Sequence, residues 1–341
     1  MTIYMKPHLS IDEQLQLLED RGLAFDDKDL CKQVLTNVGY YRLSAYTYPL
    51  RKKKRREDRT TSCNYRYDDF SPDHTLDEAI QLYFFDETLR ALLFKAIQRV
   101  EISLRTNIAY YSGKVDKFIH LDRSLLDPKA CSKPARKNRD AYQEWSKNYN
   151  KQLKRSKNED FIRPHQELYG YGANLPIWIA VEILDFGLST RLFEFLPTAL
   201  QSQISLKFGF TEGTLLESWL RNLNYTRNLS AHHSRLWNRT VITRAKRPNK
   251  NVVDETLDHI ANSQISLKRI YPSLSVIAYM LSYICPQFEW RVELRKLIES
   301  FPAIKGINGE MLMGFPDGWR DLPLWDPEKV ILNGQAYPNS L

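Results

Sequence analysis

Apolar positions along the chain recur mostly with the 3.6-residue period of a helix and rarely with the alternation of a strand, which predicts an all-α fold. Ser10 ahead of Ile11-Asp-Glu-Gln, with Glu13 three residues on, reads as a capping box starting a helix that ends near Gly22. A second helix is expected from about Asp27 to Asn37. From Thr75 to about Tyr111 there is neither glycine nor proline, and Leu82, Phe85, Leu89, Leu92, Leu93, Ala96 and Val100 keep helical spacing; this predicts the longest helix of the protein. After Pro176, the run Ile177 to Leu196 reads as an apolar helix weakened at Gly187. Thr211 is expected to cap the next helix, and others are expected to begin near Asp254, Ser273 and Trp290. The stretch from Ala303 to Leu341, rich in Gly, Pro and Trp, is expected to be an ordered, mostly irregular wrap. The pattern offers no strand ladder, no GxGxxG, no Walker loop and no internal repeat.

With 43% hydrophobic and 26% charged residues in 341, the chain has the make-up of a soluble globular protein with a substantial core. Its formal net charge of +8, from 49 Lys and Arg against 41 Asp and Glu, is modest, so placement matters more than size. Cys31, Cys63, Cys131 and Cys285 are scattered without a CxxC pair, which fits reduced, structural thiols rather than a zinc site or a disulfide frame. The opening Met-Thr-Ile-Tyr-Met-Lys-Pro-His holds no apolar signal core. The uncharged run Ile270 to Phe288 carries Pro272 and Pro286 and reads as a buried helix rather than a membrane span. A cytoplasmic protein without membrane contact, metal or cofactor is expected.

Positive charge gathers in two places. Arg51, Lys52, Lys53, Lys54, Arg55 and Arg56 are consecutive, a run that repels itself and is expected in a loop or flexible arm, either merely solvated or touching nucleic acid. Between Gly113 and Gly172 lie Lys133, Arg136, Lys137, Arg139, Lys147, Lys151, Lys154, Arg155, Lys157 and Arg163, with Tyr142, Trp145, Tyr149 and Leu153 at helical spacing among them. Such an aromatic stripe either packs into its own domain or receives unpaired bases while the cations meet phosphates. The block Gly39 to Tyr46 reads as a packed turn with aromatic anchors rather than a base-stacking platform.

The densest chemistry lies between Arg221 and Arg239, where four arginines, four asparagines and two adjacent histidines occur without a carboxylate. Arginine forks onto phosphate, and histidine takes and gives a proton near neutral pH. At about 100° per residue, Arg221, Asn224, Asn228, His232, Arg235 and Arg239 share one face, while Leu216, Leu220, Leu223, Ser230 and Trp237 point the other way. Arg227 falls roughly 140° from His232. Either the helix turns near Ser230-Ala231, or the partner comes from a second copy of the chain. Glu101 and Arg105 stand one turn apart on the long helix and form either a surface pair or a buried one, or Glu101 instead orients Arg227.

Arg227-Asn228, three residues and His232 resemble the RxxxxH signature of HEPN ribonuclease domains. The fuller run RNLSAHHSRLWNR resembles abortive-infection (Abi) proteins of the AbiD/AbiF type, as do, in order, Gly39-Tyr-Tyr-Arg-Leu-Ser-Ala-Tyr46, Arg99-Val-Glu-Ile-Ser-Leu-Arg105 and Met313-Gly-Phe-Pro-Asp-Gly-Trp319. The resemblance implies an N-terminal helical region and basic loop over 1–60, a HEPN-like helical bundle over 61–300 with a basic insertion at about 114–172, and a C-terminal tail over 301–341. It implies a metal-independent endoribonuclease in bacterial anti-phage or toxin–antitoxin defence, with a cleft formed between two copies of the domain and, in some members, a small non-coding RNA partner. Arg227 and His232 match the catalytic pair and Asn228 the position after the arginine; His233 carries no assigned role.

Two other functions use the same residues. A non-catalytic RNA-binding protein of a defence complex would need only the cations. A metal site at His232 and His233 would need both rings on one ion, although neighbours on a helix point about 100° apart.

Overall fold

Ser10 caps the first helix: its hydroxyl accepts the Glu13 amide at 3.3 Å and the Glu13 carboxylate reaches back to the Ser10 amide at 2.6 Å. The computed structural model describes residues 5, 7–59, 65–135, 138–243, 245–249, 253–262, 264–333 and 335–338, with the backbone alone for 330 and 335–338. Cys63, Arg136 and Lys137 lie outside the described residues. The chain is mostly helical and divides into two compact units, Met1–Arg90 with Lys296–Glu310, and Ala91–Arg295 with Met311–Leu341.

In the first unit α1 (Ile11–Asp20), α2 (Lys28–Val38, capped by Asp27) and α3 (Tyr40–Thr47) follow closely. The block expected as a packed turn is therefore the helix α3. Gly39, at φ +87°, lets α2 end and α3 begin within one residue. Tyr46 is buried and donates to Asp86 at 2.7 Å, while Arg90 donates to both at 2.6 and 3.1 Å. A carboxylate with no exposure is tolerated only with such partners.

The basic run is not a loop throughout. Arg51–Lys53 is strand β1, paired antiparallel with β2 (Arg66–Phe70). Its self-repulsion is relieved because Arg51 turns onto Asp68 at 2.9 Å and onto the Tyr48 and Phe70 rings, leaving Lys52 and Lys53 in water.

The long helix α4 (Leu76–Gly113) belongs to the first unit through Arg90 and to the second beyond it. The second unit continues with α5 (Pro128–Cys131), α6 (Ala141–Arg155), α7 (Arg163–Tyr169), α8 (Ile177–Ala180), α9 (Phe186–Phe195), α10 (Thr198–Leu206) and α11 (Gly213–Ala231). After these come α12 (Asp258–Ala261), α13 (Tyr271–Ile284), α14 (Trp290–Glu299), whose last residues fall in the first unit, and α15 (Gly309–Met313).

The expected helix Ile177 to Leu196 is broken. Leu184 is extended and Asp185 caps a new helix by accepting the Leu188 amide at 2.8 Å, so the break precedes Gly187, which sits inside the first turn of α9. The residue ahead of α11 is Glu212, not Thr211, and its side chain makes no cap. A second hairpin, β3 (Lys329–Leu332) with β4 (Gln335–Pro338), stands where an irregular tail was expected. Short paired strands thus accompany the helices, contrary to the expectation of none.

Buried α13 is the spine of the second unit, with every residue from Tyr271 to Ser282 buried. Among the described residues no helix is long and apolar enough to cross a membrane. The Met313–Trp319 block packs here: Phe315 lies against Tyr271 and Trp319. Gly314, at φ +89°, lies so close to Arg269 that an added Cβ would come within 2.5 Å of it. Arg269 in turn donates to the Asn238 carbonyl at 3.0 Å, which ties this block to the loop following α11.

Candidate functional site

Helix α11 buries Leu216, Leu220, Leu223 and Ser230, as its pattern predicts, and packs on α9, α10 and α13. Asn222 is buried too and is structural: it donates to the Thr243 carbonyl at 2.8 Å and accepts from Ser273 at 2.7 Å.

The helix ends sooner than the wheel assumed. His232 is its last cap, His233 adopts φ +53°, and the amides of His233 and Ser234 return to the carbonyls of Ser230 (3.1 Å) and Leu229 (2.9 Å). This is a Schellman closure with histidine where glycine usually stands. Arg235, Trp237 and Arg239 therefore follow the turn and share no helical face with His232; Trp237 is buried in the loop.

Because α11 stays helical through Ala231, the turn comes too late to swing His232 toward Arg227, and the separation of roughly 140° stands. Asn228, His232 and His233 are exposed. Arg227 is half-buried, with its guanidinium 5.5 Å from the Phe94 ring centre, Nη1 on the Asn228 side-chain oxygen at 3.3 Å, and Nε buried without a hydrogen-bond partner.

The neighbouring stripe of α4 explains that placement. At 100° per residue Phe94, Glu101 and Arg105 fall within about 40° of one another. Glu101 is ion-paired to Arg105, and both are largely buried. Burial pushes the Glu101 carboxyl above the usual range, Arg105 and Arg227 draw it down, and Asp185 adds to the rise. The pair is thus a buried one, and Arg227 lies within the field of Glu101.

The polar face is not free of acid, contrary to its composition. Glu194 of α9, only 3% exposed, takes Arg221 Nε at 2.6 Å and Arg191 at 2.5 Å, and Glu217 takes a second Arg221 nitrogen. Arg221 is therefore a clamped cation rather than an open one. Asn224 lies directly over Gly187, where an added Cβ would be 3.3 Å from its Nδ2.

Sequence reasoning missed Glu194, Asp185 and Gly187 as neighbours of the motif. A carboxylate inside the apolar run Phe186 to Leu196 was the available signal. Among the described residues no three His, Cys, Asp or Glu side chains gather as a metal set.

In the insertion, the aromatic stripe of α6 is turned inward. Trp145 and Tyr149 are 2% exposed, stack on each other at 5.3 Å, and Trp145 donates to the Leu188 carbonyl at 3.0 Å. Tyr142 is half-buried and donates to the His120 carbonyl. Trp145 and Tyr149 serve the core and are unavailable to bases, because α6 needs an apolar face to pack on α9. Lys133, Lys147, Lys151, Lys154, Arg155 and Lys157 are exposed, whereas Arg139 is paired with Glu144 at 3.1 Å. On the basic run, Arg55 and Arg56 are exposed and Lys54 is half-buried.

The class so defined is a mostly helical protein in which a helix ends in two exposed histidines and, one turn earlier, holds an arginine against a carboxylate-bearing helix beside a cation-rich insertion. The chain matches the Abi-like protein family over residues 33–238, more than half its length, and belongs to that family. That span takes in the Gly39, Arg99 and Arg227–His232 blocks, while the Met313 block lies beyond it. No curated protein and no solved structure matches the chain.

Proposed function

We propose that this Abi-like protein is a metal-independent endoribonuclease of the AbiD/AbiF type, with a HEPN-like helical core, acting in bacterial anti-phage or toxin–antitoxin defence. The observation that carries the reading is the end of α11: exposed His232 closes the helix, and Arg227 is steadied by Phe94 and the field of Glu101.

RNA supplies its own nucleophile. A base removes the proton of a 2′-hydroxyl, the oxygen attacks the adjacent phosphorus, and the 5′-oxygen leaves with a proton, giving a 2′,3′-cyclic phosphate and a 5′-hydroxyl. His232 is the proton-transfer group, a role worth about 10²–10⁴-fold. Arg227 stabilises the charge on the phosphate in flight, and Asn228 holds the Arg227 guanidinium or the phosphate itself.

The divergence of Arg227 and His232 on one helix favours a homodimer in which the α11 ends of two copies meet at a two-fold axis and share a cleft. A bound small non-coding RNA is compatible with the exposed cations of the insertion.

The test is incubation of purified protein with total RNA in EDTA. Cleavage that survives chelation and leaves cyclic or 3′-phosphate ends supports the mechanism. Products with 5′-phosphate ends overturn it, and tight RNA binding without cleavage favours the non-catalytic RNA-binding reading.

A further inference from the structure

Between α6, α9 and α11 lies a hollow of about 790 Å³, walled by Lys133, Trp145, Asn148, Arg191 and Arg221 with Gly187 on its floor. Its size is that of a pocket for one nucleotide-sized ligand. A smaller hollow of about 360 Å³ shares Asn148 and Gly187 and adds Lys151, Gln152, Arg155 and Asp185. The two adjoin along the seam of α6 on α9.

Three features make this seam a built groove rather than a gap. Buried Glu194 pins Arg191 and Arg221, one guanidinium on each carboxylate oxygen. Each guanidinium has five N–H donors, so both keep donors for an anion while their positions are already set, which reduces the ordering cost of binding. Next, Gly187 keeps the floor open: a Cβ there would lie 3.3 Å from both Asn224 and Asp185. Finally, Glu144 is neutralised by Arg139, and the remaining charge of Asp185, held by the Leu188 amide and Gln152, is outnumbered by exposed Lys133, Lys151 and Arg155.

We propose that this groove holds a single strand of RNA: one nucleotide occupies the larger hollow with its phosphate on Arg191 and Arg221, and the following phosphates lie on Lys151 and Arg155. The proposal rests on the endoribonuclease reading and names its substrate as unpaired RNA. A duplex turns its bases inward and offers no single nucleotide to such a hollow, and the inward-facing Trp145 and Tyr149 leave the binding to phosphates and the hollow's shape.

The experiment uses the full chain carrying His232→Ala, so that RNA is not consumed, and a labelled single-stranded oligoribonucleotide containing 4-thiouridine, alone or annealed to its complement. Anisotropy titrations at several salt concentrations are run on this protein, on Lys151→Glu/Arg155→Glu, whose side chains are exposed and whose folding is checked by circular dichroism, and on Gly187→Val. The charge reversal should weaken single-strand binding about tenfold and reduce the salt slope by about 0.7 for each phosphate no longer neutralised. Gly187→Val should also weaken binding, the duplex should bind more weakly than the strand, and cross-links should map to α6 or α9. Unchanged affinity in both variants with cross-links elsewhere, or equal binding of duplex and strand, overturns the groove while leaving RNA cleavage by the unsubstituted chain intact. Absence of both binding and cleavage in the unsubstituted chain overturns the groove and the nuclease reading together.

Discussion

Arg221 on α11 and Glu194 on α9 are joined by an Nε–Oε1 hydrogen bond of 2.6 Å, with the carboxylate buried and the guanidinium about two-fifths exposed. That asymmetry decides which partner the fold depends on. If the arginines are removed, Glu194 is left as a charge without water or partner; if Glu194 is removed, both arginines reach solvent.

Replacing Arg191 and Arg221 together by alanine should therefore cost about 3–5 kcal/mol, the loss typical of a stranded buried charge. Glu194→Met, which fills the space without the charge, should cost about 1–2 kcal/mol. Urea unfolding midpoints compare the two directly, and a larger loss from Glu194→Met would show that the arginines, not the carboxylate, are the dependent partners.

His233 offers a second contrast. Its φ of +53° costs an L-residue about 1–2 kcal/mol that glycine does not bear, while glycine gives back part of this through its freer unfolded chain. His233→Gly and His233→Ala both remove the ring, so their difference isolates the backbone: the glycine variant should be the more stable by about 0.5–1 kcal/mol in thermal unfolding. RNA cleavage should persist in His233→Gly and vanish in His232→Ala. The reverse pattern would transfer the proton-transfer role to His233.

A third expectation concerns pH. His120 is buried against Trp145 and Tyr149 with neither ring nitrogen hydrogen-bonded, and burial lowers its pKa from 6.5 to about 4. His259 is lowered likewise, to about 4. Above pH 6.5 folded and unfolded histidines are both neutral and contribute nothing. As pH falls from 6.5 toward about 4, only the unfolded chain takes up the proton, so stability declines through that window and levels off below it. The loss is roughly 3 kcal/mol at most for His120. His120→Phe should leave stability at neutral pH equal or higher and make the decline shallower by about one proton. Unfolding midpoints followed from pH 7 to about 4 check it, and an unchanged slope would mean that His120 takes up its proton in the folded protein over the same pH range as in the unfolded chain.

How much of this was legible depended on whether the deciding interaction was local. The Ser10 capping box and α4 follow from spacing within a few turns, and both stand as read. Glu101 with Arg105 was visible as an i, i+4 pair, but its burial was not, because burial is set by the packing of elements distant in the chain. The wheel ran on past His232 because histidine carries no sign of the left-handed turn that glycine would have announced. Arg221 read as an open cation because its buried partner Glu194 lies 27 residues away on a helix that meets it only in the fold, although its second partner Glu217 stood one turn away in the sequence. The stripe Trp145–Tyr149 resolved toward its plainer meaning, since a helix must bury its apolar side before its charged side can serve RNA.

The last prediction joins the angle on α11 to the composite cleft. With His232 exposed and Arg227 turned toward Phe94, one chain presents the two groups on diverging sides. Two copies packed isologously at the end of α11 would set the arginine of one near the histidine of the other. Co-expression of unsubstituted and His232→Ala chains with different tags, followed by sequential affinity steps, isolates the mixed dimer, and light scattering checks its mass. A cleft needing both copies should lose nearly all cleavage in the mixed dimer, since a single site cannot complete the acid and base steps with one histidine missing. Retention of about half the activity would mean that one histidine suffices for cleavage and that the cleft does not need both, and a monomer by light scattering with full activity would remove the shared cleft altogether. Placing two arginines in one cleft is costly without an anion between them, so added single-stranded RNA should shift dissociation of the dimer to lower protein concentration, an effect that weakens as salt is raised.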